Sequence, residues 1–537
     1  MTKKLKLNDI SKDGDTQLIE INPGELVPLP PPYDKEEERP GFKRLTADQR
    51  ERLVCNLDGV VSYAALPKPR NKEAENKYVG QFVAGLKKLL SRENNWTFLQ
   101  PLLLSLDYCA RCQTCNDACH LYLASGKNDL YRPTYRSEIF RRLVHKYVTP
   151  GGKLRARFDG ADIELNWETV SRLYELSYRC NLCRRCAQAC PVGVDNALIT
   201  RELRKLFSQE LGWAPRELHE KGTVLQLAVG SSTGMNPTVV KDNLEFIDED
   251  TSEETGLTVR SPWDKEGADV LLIHNAGEIL AWPENPAAFA ILLNAAGIDW
   301  TLASDEVGYD GVNYGLFYDD VQLARIALRH VQTAKKLKVR KIVMGECGHQ
   351  HKAMMTIADR LLTGDMHIPR ESCMPLLESI VFSGKIEFDP GKNDFPVTLH
   401  DPCNITRNLG IVEPQRRILR HLCPQFREMT PHGVDNYCCG GGSGFAVMSG
   451  NNFTDWRVSV AGRIKFKQVL DAFADQPGPD VKKYLCAPCS NCKGQFRDML
   501  QYYGALEKSG ITYGGLVELI VNAMVDVKEP YITWEMH

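Results

Sequence analysis

The chain has 537 residues, of which 66 are basic and 69 are acidic, giving a formal net charge of −3. This near balance excludes the strongly basic surface that is typical of nucleic-acid-binding proteins. The length predicts two to four domains, each with its own core. Most of the 18 cysteines stand in motifs with two-residue gaps. Such clustering indicates metal ligation in a reducing compartment rather than a disulfide framework.

Residues 1–80 are largely polar and charged, with a proline-rich run at residues 28–33 (PLPPPY). They predict an extended N-terminal arm, which is either disordered or wraps around a partner. No apolar run follows the N-terminal lysines, so no signal peptide is expected. No stretch approaches eighteen uninterrupted apolar residues, so no membrane span is expected. Cys55 is the one cysteine that lies neither in a multi-cysteine motif nor in the C-terminal half.

Residues 81–213 contain one cysteine spacing twice. The first run is Cys109, Cys112, Cys115 and Cys119, and the second is Cys180, Cys183, Cys186 and Cys190. This spacing is that of bacterial two-cluster ferredoxins, in which the fourth cysteine of each run ligates the other cluster. One [4Fe–4S] cubane is therefore expected on Cys109, Cys112, Cys115 and Cys190. The other is expected on Cys180, Cys183, Cys186 and Cys119.

Zinc is the alternative metal, because structural zinc sites also use Cys-x-x-Cys. The three-residue step before each fourth cysteine argues against it. His120 stands after Cys119, where the pattern usually has proline. Between the runs, residues 132–147 predict a basic amphipathic helix with its arginines mostly on a solvated face, so the domain should be mainly α-helical.

Residues 214–265 are rich in glycine, threonine and acidic residues and predict a linker with short helices. Beyond them, apolar runs at residues 270–273, 341–344 and 397–400 alternate with helical patterns. This alternation predicts an α/β region with parallel sheets whose faces are covered.

Residues 397–537 contain Cys403, the pair Cys438 and Cys439 followed by three glycines, and then Cys486, Cys489 and Cys492. Neighbouring side chains of a strand point to opposite faces, so an adjacent pair predicts an irregular loop. The glycines let the backbone approach an inorganic core closely. The downstream Cys-x-x-Cys is either Cys486/Cys489 or Cys489/Cys492. Cys373 and Cys423 have no partner at motif spacing and are expected to be ordinary buried thiols.

Residues 266–396 look like a degenerate copy of residues 397–537. Gly277 stands where the second copy has Cys403, and Val307 and Gly308 stand where it has Cys438 and Cys439. Only Cys347 remains, so a five-thiolate site is excluded in the first copy. Ligands gather beyond the carboxyl ends of parallel strands, which would bring Cys347 and His349 near the second copy's cluster. The alternative is that His349 and His351 are surface or hydrogen-bonded histidines.

Two ferredoxin-type runs followed by this cysteine pattern resemble the heterodisulfide reductase family of the HdrD type, with its cysteine-rich CCG domain. The resemblance covers roughly residues 80–520. Residues 486–493 (CAPCSNCK), with GECGH at residues 345–349, are most similar to the DsrK branch, the iron–sulfur subunits of the membrane-bound Dsr complex of sulfur metabolism. The implied fold is an α-helical two-cluster ferredoxin domain followed by two pseudo-symmetric α/β CCG units, of which only the second is complete in cysteines.

The resemblance also implies cofactors, partners and a substrate. A non-cubane [4Fe–4S] cluster would form the catalytic site, with ligands drawn from Cys403, Cys438, Cys439, Cys486, Cys489 and Cys492, in addition to the two cubanes. The expected partners are a haem-b integral membrane subunit of the DsrM type and other Dsr subunits. The expected substrate is a disulfide or trisulfide on a DsrC-type sulfur carrier, and the chain would lie peripherally on the cytoplasmic side of the membrane.

Two other functions fit the same pattern. One is the electron-transfer subunit of a flavin-dependent dehydrogenase of the glycerol-3-phosphate or glycolate type. The other is a structural or docking module whose CCG unit binds zinc.

Overall fold

The structure, a computed structural model, describes residues 4–6, 21, 23–35, 53–54, 66–95, 97–304, 309–448 and 453–534. Cys55, Val307 and Gly308 lie outside these ranges. The chain divides into two compact units. Unit 1 consists of Met1–Arg216, Phe317–Asp319 and Gly440–Ile464, and unit 2 of Glu217–Leu316, Asp320–Cys439 and Lys465–His537.

Unit 1 is mainly helical. Its α-helices are Lys72–Leu89, Leu99–Asp107, Thr114–Ala118, His120–Ala124, Pro133–Tyr147, Gly152–Arg155, Trp167–Ser177, Arg185–Gln188, Asn196–Leu211 and Phe453–Trp456. Shorter 3-10 or π-helical turns lie at Pro23–Glu25, Asp129–Tyr131, Phe445–Val447 and Arg457–Ala461. Strands β1 (Leu53–Val54) and β2 (Leu66–Pro67) pair antiparallel. A domain boundary at residues 80/81 would fall inside the helix Lys72–Leu89.

The helix Asn196–Leu211 is the centre of unit 1. The Asp195 carboxylate caps it by accepting hydrogen bonds from the amides of Ala197 and Leu198. It ends at Gly212, whose φ of 69° is the left-handed cap that favours glycine. It packs against the helices Lys72–Leu89, Trp167–Ser177 and Pro133–Tyr147. Because it starts shortly after Cys190, it anchors the second cysteine run to the core.

The arginines of the helix Pro133–Tyr147 do not form the solvated face that the charge pattern predicts. Arg136 is 2% exposed. Arg141 and Arg142 both pair with Glu138, each at 2.8 Å, and their side chains are at most 20% exposed. Pairing with a shared carboxylate offsets the desolvation of these cations, which the sequence pattern does not reveal.

The described part of the N-terminal arm packs against its own unit. Leu26, Leu29 and Tyr33 are buried. The Val27 amide donates to the carbonyl of Ala124 at 3.2 Å. These residues are ordered because apolar side chains spaced between the prolines supply buried area that holds the segment, while residues 7–20, 36–52 and 55–65 lie outside the described residues.

Unit 2 contains two parallel sheets. The first has strands β3 (Val270–Ile273), β4 (Trp300–Thr301), β5 (Lys341–Met344) and β6 (Arg370–Ser372) in the order β4-β3-β5-β6. The second has β7 (Val397–Leu399), β8 (Phe426–Arg427), β9 (Lys483–Cys486) and β10 (Ile511–Gly514) in the order β8-β7-β9-β10. All these pairings are parallel, so both sheets have the same order relative to the chain.

Helices cover both faces of the first sheet, as its apolar strands require. Val270 and Leu272 face one core, whereas Leu271 and Ile273 face another. The α-helices lying wholly or mainly in unit 2 are Leu225–Val229, Pro237–Thr255, Ala276–Ala281, Glu284–Ala295, Asp320–Lys336, Gly348–His351, Cys373–Val381, Cys403–Leu409, Glu413–Leu422, Arg463–Ala472, Ser490–Tyr503, Ala505–Ser509 and Leu516–Asn522. Shorter 3-10 or π-helical turns lie at Glu217–Val224, Tyr314–Phe317, Lys352–Ile357, Ala358–Arg360, Gly364–Met366, Pro390–Asn393 and Gly433–Asp435.

The segment predicted as a linker instead contains the 19-residue helix Pro237–Thr255. Asn236 caps it, proline occupies its first turn, and Gly256 ends it at φ 71°. Val240, Leu244 and Ile247 are buried at helical spacing, while the acidic run lies among its more exposed residues. The density of acidic residues therefore concealed an amphipathic helix.

Among the described residues, none of the helices combines the length and apolar character needed to cross a bilayer.

Candidate metal centres

The two cysteine runs of unit 1 have the same backbone conformation. Arg111 and Gln113 in the first run have positive φ, at 56° and 64°, and Leu182 and Arg184 in the second have φ of 50° and 62°. These pairs occupy equivalent positions on either side of the second cysteine. Side chains other than glycine rarely adopt this conformation without compensation. Alternating left-handed residues curl each loop around its thiols, as an inorganic core requires.

The thiols group across the two runs. Burial raises the pKa of Cys115 to about 11, and the neighbouring thiols of Cys109 and Cys190 add to the effect. Cys190 belongs to the second run, so the first three cysteines share their site with the fourth cysteine of the other run.

The reciprocal group forms around Cys119. Burial raises the pKa of Cys119 to about 12, with further contributions from Cys183 and Cys180. Burial likewise raises the pKa of Cys186, and Asp195, Cys183, Cys180 and Cys119 act in the same direction. Both crossed neighbourhoods therefore match the expected ligand sets, although the assignment of ligands remains a prediction.

The chemistry of these groups fits iron–sulfur clusters. Burial disfavours the thiolates of Cys115, Cys119 and Cys186, and a bound metal core supplies the positive charge that ionisation requires. Main-chain amides also point at sulfur. The Leu182 amide lies 3.4 Å from the Cys180 Sγ, and the Val194 amide lies 3.3 Å from the Cys190 Sγ. Such hydrogen bonds stabilise thiolate ligands.

His120 has a role that its departure from the usual proline did not suggest. Its Nε2 lies 2.9 Å from the Asn181 Oδ1. Because an amide oxygen only accepts, this ring nitrogen must carry the proton. The Asn181 Nδ2 in turn donates to the carbonyls of Gly440, at 2.8 Å, and Gly442, at 3.3 Å. All four residues belong to unit 1, so the glycine turn is fastened to the second cysteine run.

The first glycine of this turn is required by geometry. Gly440 has a φ of 93°. A Cβ at this position would lie 2.6 Å from the carbonyl carbon of Ala461 and 2.7 Å from the amide of Gly462. Any other residue would therefore need both a strained conformation and a shift of neighbouring backbone.

In unit 2, the thiols of Cys439, Cys489 and Cys492, from two separate segments, meet at one buried point. Cys439 Sγ lies 3.4 Å from Cys492 Sγ. This distance is too long for a disulfide and close to the ~3.8 Å expected between two thiolates on one tetrahedral metal. Hydrogen bonds from the thiols of Cys438 and Cys492 lower the pKa of Cys439 well below its usual value.

Cys489 joins the same group. The Cys492 thiol lowers the pKa of Cys489, while its bonds to Cys439 and Cys489 raise the pKa of Cys492. The three sulfurs thus compete for protons at one point. A metal centre would replace those shared protons, because thiolate ligands release their protons on binding.

Main chain of the first copy, residues 266–396, also contributes to this group of thiols. The Gly348 amide donates to the Cys489 Sγ at 3.2 Å. A Cβ on Gly348 would lie 3.1 Å from that sulfur and 3.4 Å from the Cβ of Asn404. Glycine therefore permits the close approach of main chain to sulfur. Cys403, 6% exposed, begins the helix Cys403–Leu409, which packs against the helix Gly348–His351.

The structure distinguishes the two possible Cys-x-x-Cys pairs. Cys486, the last residue of β9, belongs to the apolar core together with Cys423 and Tyr484. Burial raises the pKa of Cys486, and the Glu346 carboxylate adds to the effect. The geometry thus favours Cys489 and Cys492. Cys373 and Cys423 are likewise buried in that core.

Residues of the first copy (266–396) lie beside the thiols of the second copy (397–537). The Cys347 Sγ accepts from the Nδ2 atoms of Asn275, at 3.6 Å, and Asn491, at 3.7 Å, and the Cys489 thiol helps burial to raise the pKa of Cys347 to about 12. His349 is 1% exposed. Burial lowers its pKa to about 3, with Cys439 acting in the opposite direction.

The alternative that these histidines lie at the surface is wrong. His351 is fully buried and hydrogen-bonded, with its Nδ1 2.8 Å from the Cys347 carbonyl and its Nε2 2.7 Å from the Ser372 hydroxyl. The second part of that alternative, a hydrogen-bonded histidine, therefore describes His351. Gly277 lies in the helix Ala276–Ala281, directly after β3.

One residue near the thiols was missed by sequence reasoning. His400 follows β7, and one of its ring nitrogens lies within 4.8 Å of the sulfurs of Cys439 and Cys492. A hydrogen bond with the Cys439 thiol acts against burial in setting the pKa of His400. The run HDPC contained the signal, since a histidine three residues before a ligand cysteine at a strand end is well placed to reach the same metal.

Two family models match the chain. Residues 105–194 match the model described as a 4Fe-4S dicluster domain, and residues 397–497 match the cysteine-rich (CCG) domain. The matched segments contain both cysteine runs and the thiols that meet in unit 2.

Curated relatives match most of the chain. The Hdr-like menaquinol oxidoreductase iron-sulfur subunit 2 of Archaeoglobus fulgidus is 27% identical, with 87% of this chain and 90% of the relative covered. One subunit of the dihydromethanophenazine:CoB–CoM heterodisulfide reductase of Methanosarcina barkeri is 26% identical, covering 79% and 95%. The EtfAB:quinone oxidoreductase of Syntrophomonas wolfei is 23% identical, covering 72% and 54%.

The chain is thus similar to HdrD-like iron–sulfur proteins, and the matches support an oxidoreductase that carries clusters of the 4Fe-4S type.

Proposed function

We propose that this chain is the iron–sulfur catalytic subunit of a membrane-associated complex, and that it passes electrons between a quinone-linked haem-b membrane subunit and a disulfide or trisulfide on a sulfur-carrier protein. The observation that carries the proposal is the meeting of Cys439, Cys489 and Cys492 at one buried point in unit 2. This third group of thiols adds a buried reaction site to the two ferredoxin-type sites that would relay electrons.

The proposed ligand sets extend the neighbourhoods described above. One cubane takes Cys109, Cys112, Cys115 and Cys190, and the other takes Cys180, Cys183, Cys186 and Cys119. A non-cubane cluster takes Cys403, Cys438, Cys439, Cys489 and Cys492, which we call the cysteine-rich site. When bound, the cubanes would supply single-electron relay, and the third cluster would supply an iron site that accepts sulfur.

The chain's own residues prepare the cysteine-rich site for this task. Cys438, Cys439 and Cys489 are at most 2% exposed, so water is excluded from the sulfurs where the disulfide must be cleaved. The Gly348 amide orients Cys489 and places a positive dipole against its sulfur. His400 adds a neutral imidazole beside Cys439, because burial lowers its pKa.

The two sheets of unit 2 support descent from one duplicated unit. They share the strand order second–first–third–fourth, and each places a cysteine beyond its third strand, at Cys347 and at Cys489. In this proposal the first copy has lost its cluster, and its residues Gly348 and Cys347 now line the cysteine-rich site of the second copy.

Partners and location follow the relatives. The names of two relatives refer to menaquinol and to a heterodisulfide. The GECGH and CAPCSNCK segments favour the DsrK branch, with a DsrM-like haem-b subunit and other Dsr subunits as partners and a DsrC-type protein as substrate. The proposed location is peripheral, on the cytoplasmic side of the membrane.

The decisive experiment uses chain purified without oxygen. Its iron content should exceed that of two cubanes, and the dithionite-reduced protein should convert a disulfide-bearing DsrC-type carrier to its dithiol, measured as thiols released per chain. Iron equal to two cubanes in an active preparation contradicts the third cluster. Bound zinc in place of iron contradicts the whole proposal.

A second candidate function is electron relay for a flavoprotein dehydrogenase, favoured by the similarity to the EtfAB:quinone oxidoreductase. It predicts that a reduced electron-transfer flavoprotein reduces the cubanes rapidly, while no disulfide carrier is consumed. The same preparation, offered both reactants, separates the two functions.

A further inference from the structure

A buried group of charges lies in unit 2, beside the cysteine-rich site. We call it the carboxylate cluster, and its members are Glu278, Glu284, Glu346 and Glu518 around Lys493. The Lys493 Nζ, which is fully buried, lies 3.6 Å from the Glu518 Oε1 and 3.9 Å from the Glu278 Oε1. One lysine against four carboxyl groups leaves a large negative excess if all are ionised. A buried site does not sustain that excess, so some members hold protons.

Several buried polar atoms in and around the carboxylate cluster make no hydrogen bond within the described residues. Glu278 Oε1, Glu518 Oε2, Asn285 Oδ1 and Lys493 Nζ have no hydrogen-bond partner among the described residues. The lysine–carboxylate separations exceed a direct hydrogen bond and suit a bridging water. A Cβ on Gly515 would overlap the carboxylates of both Glu346 and Glu518, so glycine there keeps the space between them open.

One end of the cluster opens to a cleft. Glu284 and Glu518 both line a cleft of about 80 Å³ bounded by Trp282, Tyr513 and Tyr531. Asn285, next to Glu284 in the chain, donates to the Glu518 Oε1 at 3.0 Å. The carboxyl groups at this end therefore meet both solvent and the buried lysine.

The other end reaches the cysteines. The Glu278 Oε2 accepts from the Asn275 amide at 3.1 Å, and the Asn275 Nδ2 donates to the Ser490 hydroxyl oxygen at 2.8 Å. Ser490 directly follows Cys489. The cluster thus extends from the cleft to a hydroxyl that adjoins a proposed metal ligand.

We propose that Glu284, Glu518 and Glu278 carry protons from this cleft to the cysteine-rich site. This inference rests on the proposed function, because cleavage of a carrier disulfide consumes protons. The S–S bond breaks, two electrons arrive from a quinol through the membrane partner, and each sulfur takes one proton to become a thiol. Solvent supplies both protons by way of the cleft, and Glu278 is the last carboxyl group that holds a proton before the cysteine-rich site.

The charges around the path suit proton exchange at neutral pH. Burial raises the pKa of Glu278 to about 7 and that of Glu284 to about 7. Lys493 stays a cation, since the surrounding carboxylates outweigh its burial and raise its pKa. Glu278 faces Lys493, Glu518, Glu346, Asp310 and His274, and Glu284 faces Glu518 and Lys493. Burial lowers the pKa of His274 to about 3, so this imidazole is neutral.

The test uses Glu278→Gln and Glu284→Gln, which keep the side-chain shape but exchange no proton. Glu529→Gln, at an exposed position, is the matched control, and iron content verifies that each holoprotein is intact. Proton uptake after rapid chemical reduction is followed with a pH-indicator dye. It should slow at least about 10-fold in both variants, in line with the loss of a positioned acid–base group, and match wild type in the control. Infrared spectra should show a protonated carboxyl band that titrates near pH 7 and weakens in each variant.

The outcomes separate the two proposals. Equal uptake rates in all proteins, or a wild-type spectrum without a carboxyl band titrating near neutrality, overturn the proton path whatever the turnover. Slowed uptake in the variants of a wild type that reduces no disulfide carrier keeps the path and overturns the proposed function. When turnover is present, both glutamine variants should also lower it and increase the solvent isotope effect.

Discussion

The ferredoxin-type runs of unit 1 and the cysteine-rich site of unit 2 collect thiols in different ways. Each run draws three of its cysteines from seven consecutive residues and shapes them with left-handed residues at matching positions. The cysteine-rich site draws its cysteines from segments that span residues 403–492 and brings them together only at the carboxyl ends of β7 and β9. Exposure differs too, since Cys112 is exposed whereas Cys439 is 2% exposed.

Sites formed by local cysteine spacing and sites formed by sheet topology therefore differ in their chemistry. A site made mainly by one loop, with a fourth thiol from the other run, can stand near the surface, where electrons enter and leave. A site made by distant segments can be enclosed, and enclosure is what cleavage of a sulfur–sulfur bond requires. The following changes test each side of the comparison.

The largest effect is expected for Cys439→Ser. This variant lacks a thiolate that contacts both Cys438 and Cys492. Disulfide turnover should fall more than about 100-fold, which exceeds the loss typical of residues that only support a metal ligand. Both cubanes should stay reducible by dithionite. Cys423→Ser, in the apolar core, is the control and should retain turnover. Full turnover by the Cys439 variant would show that the enclosed site does no chemistry.

Cys119→Ala tests the crossing in unit 1. Because the thiol of Cys119 lies among those of Cys180, Cys183 and Cys186, the cluster of the second run should lose a ligand and its electron paramagnetic resonance signal. The signal of the other cubane should remain. Loss of only the first run's cluster would contradict the crossed arrangement, and Cys190→Ala should give the mirror-image result.

A paired comparison of Cys492→Ser and Cys486→Ser tests which cysteine completes the cysteine-rich site. Cys492 contacts Cys439 at 3.4 Å, whereas Cys486 lies in the apolar core. Cys492→Ser should therefore lower the iron content below that of three clusters, while Cys486→Ser should keep the iron and lose only some thermal stability. The reverse pattern in iron analysis would establish the other Cys-x-x-Cys pair.

The smallest effect is expected for Gly348→Ala. The added methyl group would lie 3.1 Å from the Cys489 Sγ, so the segment must shift by a few tenths of an ångström at a cost of about 1–3 kcal/mol. Turnover should fall several-fold with the iron content retained, and the spectrum of the non-cubane cluster should change. Gly478→Ala, where a Cβ meets no atom within 4 Å, should change neither. Identical spectra for both variants would mean that the first copy does not shape the cysteine-rich site.

Much of this organisation was predictable from the sequence because it depends on neighbours in the chain. The duplicated spacing around Cys109 and Cys180 predicted two grouped sets of thiols, and the apolar runs predicted parallel sheets. The predictions that failed concern burial. The acidic run near residue 250 concealed the helix Pro237–Thr255. Arg141 and Arg142 are at most 20% exposed because the Glu138 carboxylate offsets their charge.

Tertiary structure alone decided which distant groups meet. Cys486 and Cys492 have equal claims by spacing, and only the placement of β9 in its sheet directs the first into the core and leaves the second beside Cys439. The carboxylate cluster has no sequence signature at all, since Glu278, Glu518 and Lys493 come from three separate helices. Periodicity specifies which face of a helix is buried, whereas the charge partners that a buried side chain meets depend on the packing of elements hundreds of residues apart. That packing is a property of the folded chain as a whole, because each contact is stabilised only when the others have formed.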